Sequence, residues 1–239
     1  MSEACADSDA YAAIARVRAA AAAGDIAAQA LYAQMLNEGR GLALDPVEAL
    51  HWYTLAANSG DAAAMNMVGR CNELGRGTPV NMELAAAWYR KAARHGLDWG
   101  LYNYAQLLAK GRGVKADRKQ AFALYRRAAE LGHAKSMNMV GRYYDEGWEV
   151  ERDAAVAESW YRKSALGGDF RGQTSYASIL AQRGDVITAA EWLRRAAATA
   201  TPAFLERLVE DLARAPHALL REVAAEMRER LPHRDPATA

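Results

Sequence analysis

Asn66 and Arg70 stand four residues apart in Met65–Asn66–Met67–Val68–Gly69–Arg70, and the same six residue types return as Met137–Asn138–Met139–Val140–Gly141–Arg142. Between the two copies lie Trp99 and Tyr102. These side chains suit recognition better than catalysis. An asparagine amide bonds both the N–H and the C=O of a peptide backbone. An arginine fork meets a carboxylate or a phosphate with two parallel bonds. Tryptophan and tyrosine supply the anchor area typical of binding hot spots. Steps of three, four and three residues put such positions on one helical face. That face reads Asn66, Arg70 and Glu73, then Trp99, Tyr102 and Gln106, then Lys135, Asn138, Arg142 and Asp145. Arg171, Thr174 and Ser178 continue it. The plainer alternative is structural. The asparagines would bond only neighbouring helices, Trp99 would fill a packing gap, and Arg70 and Arg142 would pair with Glu73 and Asp145 at about 0.2–0.5 kcal/mol a pair.

Chemistry of other kinds finds little support. His51, His95, His133, His217 and His233 share no spacing that would hold a metal. Ser175 and Ser178 have no histidine in register as a base. The Gly-Arg-Gly turns are not followed by Gly-Lys-Ser or Gly-Lys-Thr and no strand pattern precedes them, so they are not phosphate loops. Cys5 and Cys71 are isolated, forming neither a disulfide framework nor a CxxC site. No catalytic, cofactor or metal site is expected. Thirty Lys+Arg against 29 Asp+Glu leave a net charge of +1, which provides no field for nucleic acid or an anionic membrane. Ala19–Ala23 reads as a helix end rather than a leader, and no apolar run approaches the ~20 residues of a membrane span. The expected location is the cytoplasm.

The elements that must carry these residues announce themselves through a period. Glycine returns at Gly24, Gly60, Gly96, Gly132 and Gly168, steps of 36. In the same phase stand Gly39, Gly75, Gly111 and Gly147, and Gly41, Gly77 and Gly113, with Glu149 breaking the last series. Tyr53, Tyr89, Tyr125 and Tyr161 recur, each preceded by tryptophan except at Leu124. A period of this length marks a repeat array. Each unit reads as two helices. The first, helix A, ends at a glycine; the second, helix B, starts after Asp45, Asn81, Asp117 or Asp153, all good N-caps. Helix A has a small-residue side, at Ala33, Gly69, Ala105, Gly141 and Ala177, that lets helix axes approach closely. The Trp-Tyr stripe of helix B is expected to be core.

The predicted division is a flexible start over 1–8, a capping helix over 9–23 with Asp9 at its cap, five repeats over 24–200, two closing helices over 201–231 and a flexible tail over 232–239. The fifth repeat is four residues short at its turn, Arg183–Gly184–Asp185.

This pattern is similar to the Sel-one-like repeat family, a branch of the tetratricopeptide repeat superfamily. Gly111–Arg112–Gly113–Val114 with Asp117, and Ala87–Trp88–Tyr89–Arg90–Lys91–Ala92–Ala93 ending at Gly96, carry the resemblance most fully. It covers about residues 24–200; Glu149, Leu124 and the short fifth unit depart from it. The resemblance implies an all-α, right-handed superhelical solenoid of helix pairs whose A helices line a concave face. It also implies a non-catalytic scaffold that holds a protein or peptide, one bearing a carboxylate or acidic group, in that groove. Some secreted relatives carry a cysteine pair in every repeat; its absence here points to a reducing compartment. Two alternatives stay open. Some relatives were associated with β-lactam hydrolysis, which would make the chain a hydrolase, and a helical-repeat nucleic-acid binder would need a basic stripe. The exposed ends of the stack are further surfaces on which copies could associate.

Overall fold

A computed structural model describes residues 3–231. Helix α1 (Glu3–Ala22) comes first. Five pairs follow: α2 (Ile26–Glu38) with α3 (Pro46–Asn58), α4 (Ala62–Leu74) with α5 (Met82–Arg94), α6 (Asp98–Lys110) with α7 (Arg118–Glu130), α8 (Ala134–Glu146) with α9 (Ala154–Leu166), and α10 (Phe170–Gln182) with α11 (Val186–Thr199). Helices α12 (Pro202–Ala213) and α13 (Ala218–Glu229) close the chain. The described residues contain no strand, and the fold is an all-α helical-repeat solenoid. The chain divides within α7 into two compact units, residues 1–127 and 128–239.

One expectation needs correcting at the start of the chain. Helix α1 begins at Glu3, so Asp9 lies inside it rather than capping it, and most of the expected flexible start is helical. Alanines and few breakers after Glu3 let the helix propagate past that aspartate. Met1, Ser2 and the expected tail over 232–239 lie outside the described residues.

The B helices start where the cap chemistry places them. Asp45 Oδ1 accepts from the N–H of Glu48 at 2.9 Å, Asn81 from Leu84 at 3.0 Å, Asp117 from Gln120 at 2.8 Å and Asp153 from Val156 at 2.9 Å. The A helices use a second series of caps, except α6, which follows Leu97 without a side-chain cap. Asp25 accepts from Ala28 at 2.7 Å, Asp61 from Ala64 at 2.6 Å and Asp169 from Gly172 at 3.0 Å. His133 substitutes in that series, its Nδ1 3.3 Å from the N–H of Ser136. Each cap satisfies a donor that the first helical turn leaves without a partner, a contribution of about 1 kcal/mol.

The helix stripes divide between core and rim. Tyr53, Tyr89, Tyr125 and Tyr161 are buried, as expected for the core. Their tryptophan neighbours Trp52, Trp88 and Trp160 are only half-buried. A cation one helical turn on covers two of them: Lys91 Nζ lies 3.8 Å from the Trp88 ring and Lys163 Nζ 4.4 Å from that of Trp160. A cation on an aromatic face is stabilising at a wet boundary, so the indole edge need not enter the core. The close approach demanded by the small-residue side is visible at Gly69 and Gly141. A Cβ there would stand 2.7 Å from the rings of Tyr89 and Tyr161 respectively.

The turn between helices A and B sets the second constraint. Gly77 (φ 71) and Gly113 (φ 68) have left-handed backbone, and a Cβ at either would collide with a main-chain carbonyl, that of Pro46 or Met82. Glu149 holds the same phase at φ 58, the single non-glycine residue with positive φ among those described. The broken glycine series therefore keeps its backbone conformation and loses only its ease.

Candidate functional site

In the first unit, α4 supplies Asn66, Arg70 and Glu73, and α6 supplies Trp99, Tyr102 and Gln106. They do not all face outward. Asn66 is only 7 % exposed, and its Oδ1 accepts from Asn103 Nδ2 at 2.8 Å, joining one A helix to the next. Glu73 is likewise engaged inside the stack. It accepts from the Tyr89 hydroxyl at 2.7 Å and lies 3.5 Å from Arg112. Burial, then the bond to Glu73, pushes the Tyr89 hydroxyl well above the ordinary tyrosine range. The pairing of Arg70 with Glu73 along the helix is therefore not made. Arg70 points to solvent and forms neither a hydrogen bond nor a salt bridge among the described residues.

Trp99 is 42 % exposed, with its ring edge-on to Tyr102 at 6.2 Å. Gln106 Nε2 donates to the Tyr102 hydroxyl at 3.1 Å, which fixes that ring from the next turn. A cleft of 610 Å³ opens between α2 and α4, lined by Leu31, Gln34, Met67, Arg70 and Arg76 among others. Leu31 is exposed there, so the cleft combines an apolar surface with Arg70, Arg76 and one carboxylate, Glu38.

The second unit repeats this logic on α8. Asn138 is 3 % exposed, and its Oδ1 accepts from the Ser175 hydroxyl of α10 at 3.4 Å. Asp145 accepts from the Tyr161 hydroxyl at 3.2 Å and lies 4.0 Å from Arg152. Burial first, then that carboxylate, raises the Tyr161 hydroxyl above its usual range. Arg142 does not pair with Asp145; it lies over the Trp148 ring at 5.1 Å. Lys135 is half-buried one turn before Asn138.

A cavity of 390 Å³ lies against Asn138 and Arg142. Arg171, Thr174 and Ser175 of α10 and Phe204, Arg207, Leu208 and Asp211 of α12 complete its lining. The sequence reading placed Arg171 and Thr174 on the open face but missed Phe204, Arg207 and Asp211. Their spacing of three and four residues was the available signal, beside the packing stripe of Leu205, Leu208, Val209 and Leu212.

Among the described residues, no group of three or more His, Cys, Asp or Glu side chains could hold a metal ion. No helix among them is long and apolar enough to cross a membrane. Ser175 donates to an asparagine, and Ser178 accepts from Gln182 at 3.5 Å.

Repeated helix pairs with side chains presented from their A helices define a class, the helical-repeat proteins typical of protein–protein interaction scaffolds. Within that class the chain belongs to the Sel1 repeat family. The family's pattern matches residues 26–61, 62–97, 100–133, 134–169 and 180–198, the last within the shortened fifth unit. A crystal structure of a Sel1 repeat protein from Oxalobacter formigenes is similar over 87% of this chain and 88% of that one, at 27% identity and a TM-score of 0.75. A protective antigen of uropathogenic Escherichia coli with the same repeat fold is 30% identical over 89% of this chain, with a TM-score of 0.70. The match spans about half of that antigen, 47% of its length. An immunity protein from Pseudomonas aeruginosa, 14% identical with a TM-score of 0.57, shares the fold. No curated protein matches the chain.

Proposed function

We propose that the chain is a non-catalytic scaffold that holds a peptide or a loop of a partner protein against its A helices. The group recognised is a carboxylate or another acidic group. The observation that carries this reading is the state of two arginines. Arg70 and Arg142 occupy the same position in different repeats, each lines a cleft, and neither has a carboxylate partner among the described residues. Glu73 and Asp145, the acids nearest in sequence, are already held by Tyr89 and Tyr161. Exposed Trp99 adds anchor area on α6. A hydrolytic role gains little from the serines: Ser175 and Ser178 bond an asparagine and a glutamine, and Ser136, which lies 2.8 Å from His133 Nδ1, is fully buried.

The test is affinity capture followed by measurement of the partner's dissociation constant for the wild type and for Arg70→Ala, Trp99→Ala and Arg142→Ala. A hot-spot residue costs about 2 kcal/mol or more, roughly a thirtyfold loss of affinity. Unchanged affinity in all three variants, with helical content intact, would show that the partner binds elsewhere.

A further inference from the structure

Three arginines line the 390 Å³ cavity of the second unit: Arg142 from α8, Arg171 from α10 and Arg207 from α12. Among the described residues none is in a salt bridge, although Arg152, Arg183 and Arg194 elsewhere in the same unit each have a carboxylate. Asp211 lines the cavity too and makes no salt bridge with any of them. Counting three arginines against one aspartate leaves the lining with a charge of +2. Like charges gathered around one cleft repel one another, so an anion there is favoured more than beside a single exposed arginine.

The arginines are also held in place. Arg171 lies over the rings of Phe170 and Phe204, at 4.5 and 5.7 Å, and Arg142 lies over Trp148. Phe170 and Phe204 themselves meet at 4.8 Å, which seats α12 against α10. Stacking engages the face of a guanidinium and leaves its N–H edge available. Arg207 uses only its Nε, donating to the Ala203 carbonyl at 3.4 Å. Asn138 is buried at the cavity, and its oxygen is taken by Ser175 while its amide N–H₂ has no acceptor. The donors left over at this lining would be met by a ligand that accepts hydrogen bonds.

We infer that this cavity binds a compact dianion carried by the partner peptide: two carboxylates within one or two residues, or one phosphomonoester. A single carboxylate would neutralise half of the surplus, whereas a phosphate carries about −1.5 to −2 at neutral pH and paired carboxylates carry −2. The volume sits near the lower end of small-ligand sites, about 300–1,000 Å³, so it admits one or two side chains rather than a folded surface. The inference deepens the scaffold reading and rests on it.

The test uses the full chain labelled with ¹⁵N and follows the arginine Nε–Hε signals. The probes are N-acetylaspartate, phenyl phosphate and, as a monoanion of matching size, N-acetylasparagine. At least one dianion should shift Arg171 and Arg207 saturably and bind about tenfold tighter than the monoanion. Arg171→Gln and Arg207→Gln should each abolish that preference, and Arg183→Gln, whose arginine is paired with Glu158, should keep it. Whichever dianion binds tighter identifies the source of the charge. Equal affinity for mono- and dianions, no saturable shift, or a preference that survives both substitutions would overturn the inference. If the dianion preference fails while Arg70→Ala or Trp99→Ala still weakens partner binding, the scaffold reading stands and only this inference falls.

Discussion

Gly77 and Glu149 share one phase of the repeat and one backbone conformation, so substitutions there should act in opposite directions. Gly77→Ala places a methyl group on a residue at φ 71 and drives it into the Pro46 carbonyl. The left-handed backbone costs a non-glycine residue about 1 kcal/mol, and relieving the collision by shifting main chain adds about 1–3 kcal/mol. The total is about 2–4 kcal/mol. Glu149→Gly removes the same left-handed cost at φ 58. Part of that gain is returned, because glycine loses about 0.4–1 kcal/mol more chain entropy on folding. The Glu149 side chain is exposed, so little contact is lost with it. The net is a stabilisation of a few tenths of a kcal/mol, about 0.6 kcal/mol at most. For a chain of this length a kcal/mol moves the melting temperature by about 2–4 °C. Differential scanning calorimetry should therefore show Gly77→Ala melting about 4–16 °C lower and Glu149→Gly one or two degrees higher. Because repeat arrays of this size can unfold in stages, the comparison is made transition by transition. A lower melting temperature for Glu149→Gly, or an unchanged one for Gly77→Ala, would refute the claim that backbone geometry at this turn governs the residue choice.

Other expectations follow from the same contacts. Tyr53, Tyr89 and Tyr161 have hydroxyls raised by burial, so they stay protonated in the fold when the unfolded chain would ionise. Their contribution is complete below pH about 10 and is lost as the pH climbs from there through the folded value, at up to about 1.4 kcal/mol per tyrosine per pH unit. Circular dichroism against pH should show alkaline unfolding, with a shallower dependence in Tyr89→Phe; an equal slope would contradict the assignment. Asn66→Ala and Asn103→Ala should each cost about 1–2 kcal/mol in urea titration, and the double variant less than their sum, since both break one bond. Asp61→Ala removes the cap of α4 and should cost about 1 kcal/mol by the same measurement, with no effect expected from Glu151→Ala in an exposed turn.

The repeat was legible because its punctuation has local causes. A glycine after helix A, an Asp or Asn before helix B and a tyrosine facing the small side each answer a constraint within one helix pair. Their recurrence at 36 residues needs no three-dimensional knowledge. The site was less legible. Asn66 and Asn138 share a phase with Tyr102, which suggested an open face, yet both asparagines are buried. Each bonds a residue 37 positions on, Asn103 or Ser175, so the contact belongs to the step between A helices. A helical wheel drawn for one helix does not contain that step. Glu73 and Asp145 misled in the same way, being spent on the tyrosine 16 residues later. The cavity of the second unit was hidden for another reason: α12 lies outside the period, and Phe204, Arg207 and Asp211 have no counterparts to draw attention to them.

These placements divide the labour among side chains that the sequence had grouped together. An asparagine buried between two A helices, with its oxygen bonded to the next helix, fixes their spacing and register. A carboxylate bonded to a buried tyrosine fixes helix A against helix B. Neither can change partners without loosening the stack, because each would leave a buried polar group unsatisfied at about 1–3 kcal/mol. The arginines one turn beyond the asparagines carry no such duty. They can be exchanged at little cost to the fold, whereas the asparagines cannot. On the scaffold reading, partner choice therefore resides in Arg70, Arg142 and the residues that share their clefts. Arg142→Ala should weaken partner binding while leaving the melting temperature within about 1–2 °C, corresponding to the ±0.5 kcal/mol usual for surface changes. Asn138→Ala should lower both. A variant series in which the arginine and the asparagine behave alike would show that structure and recognition are not separated in this way.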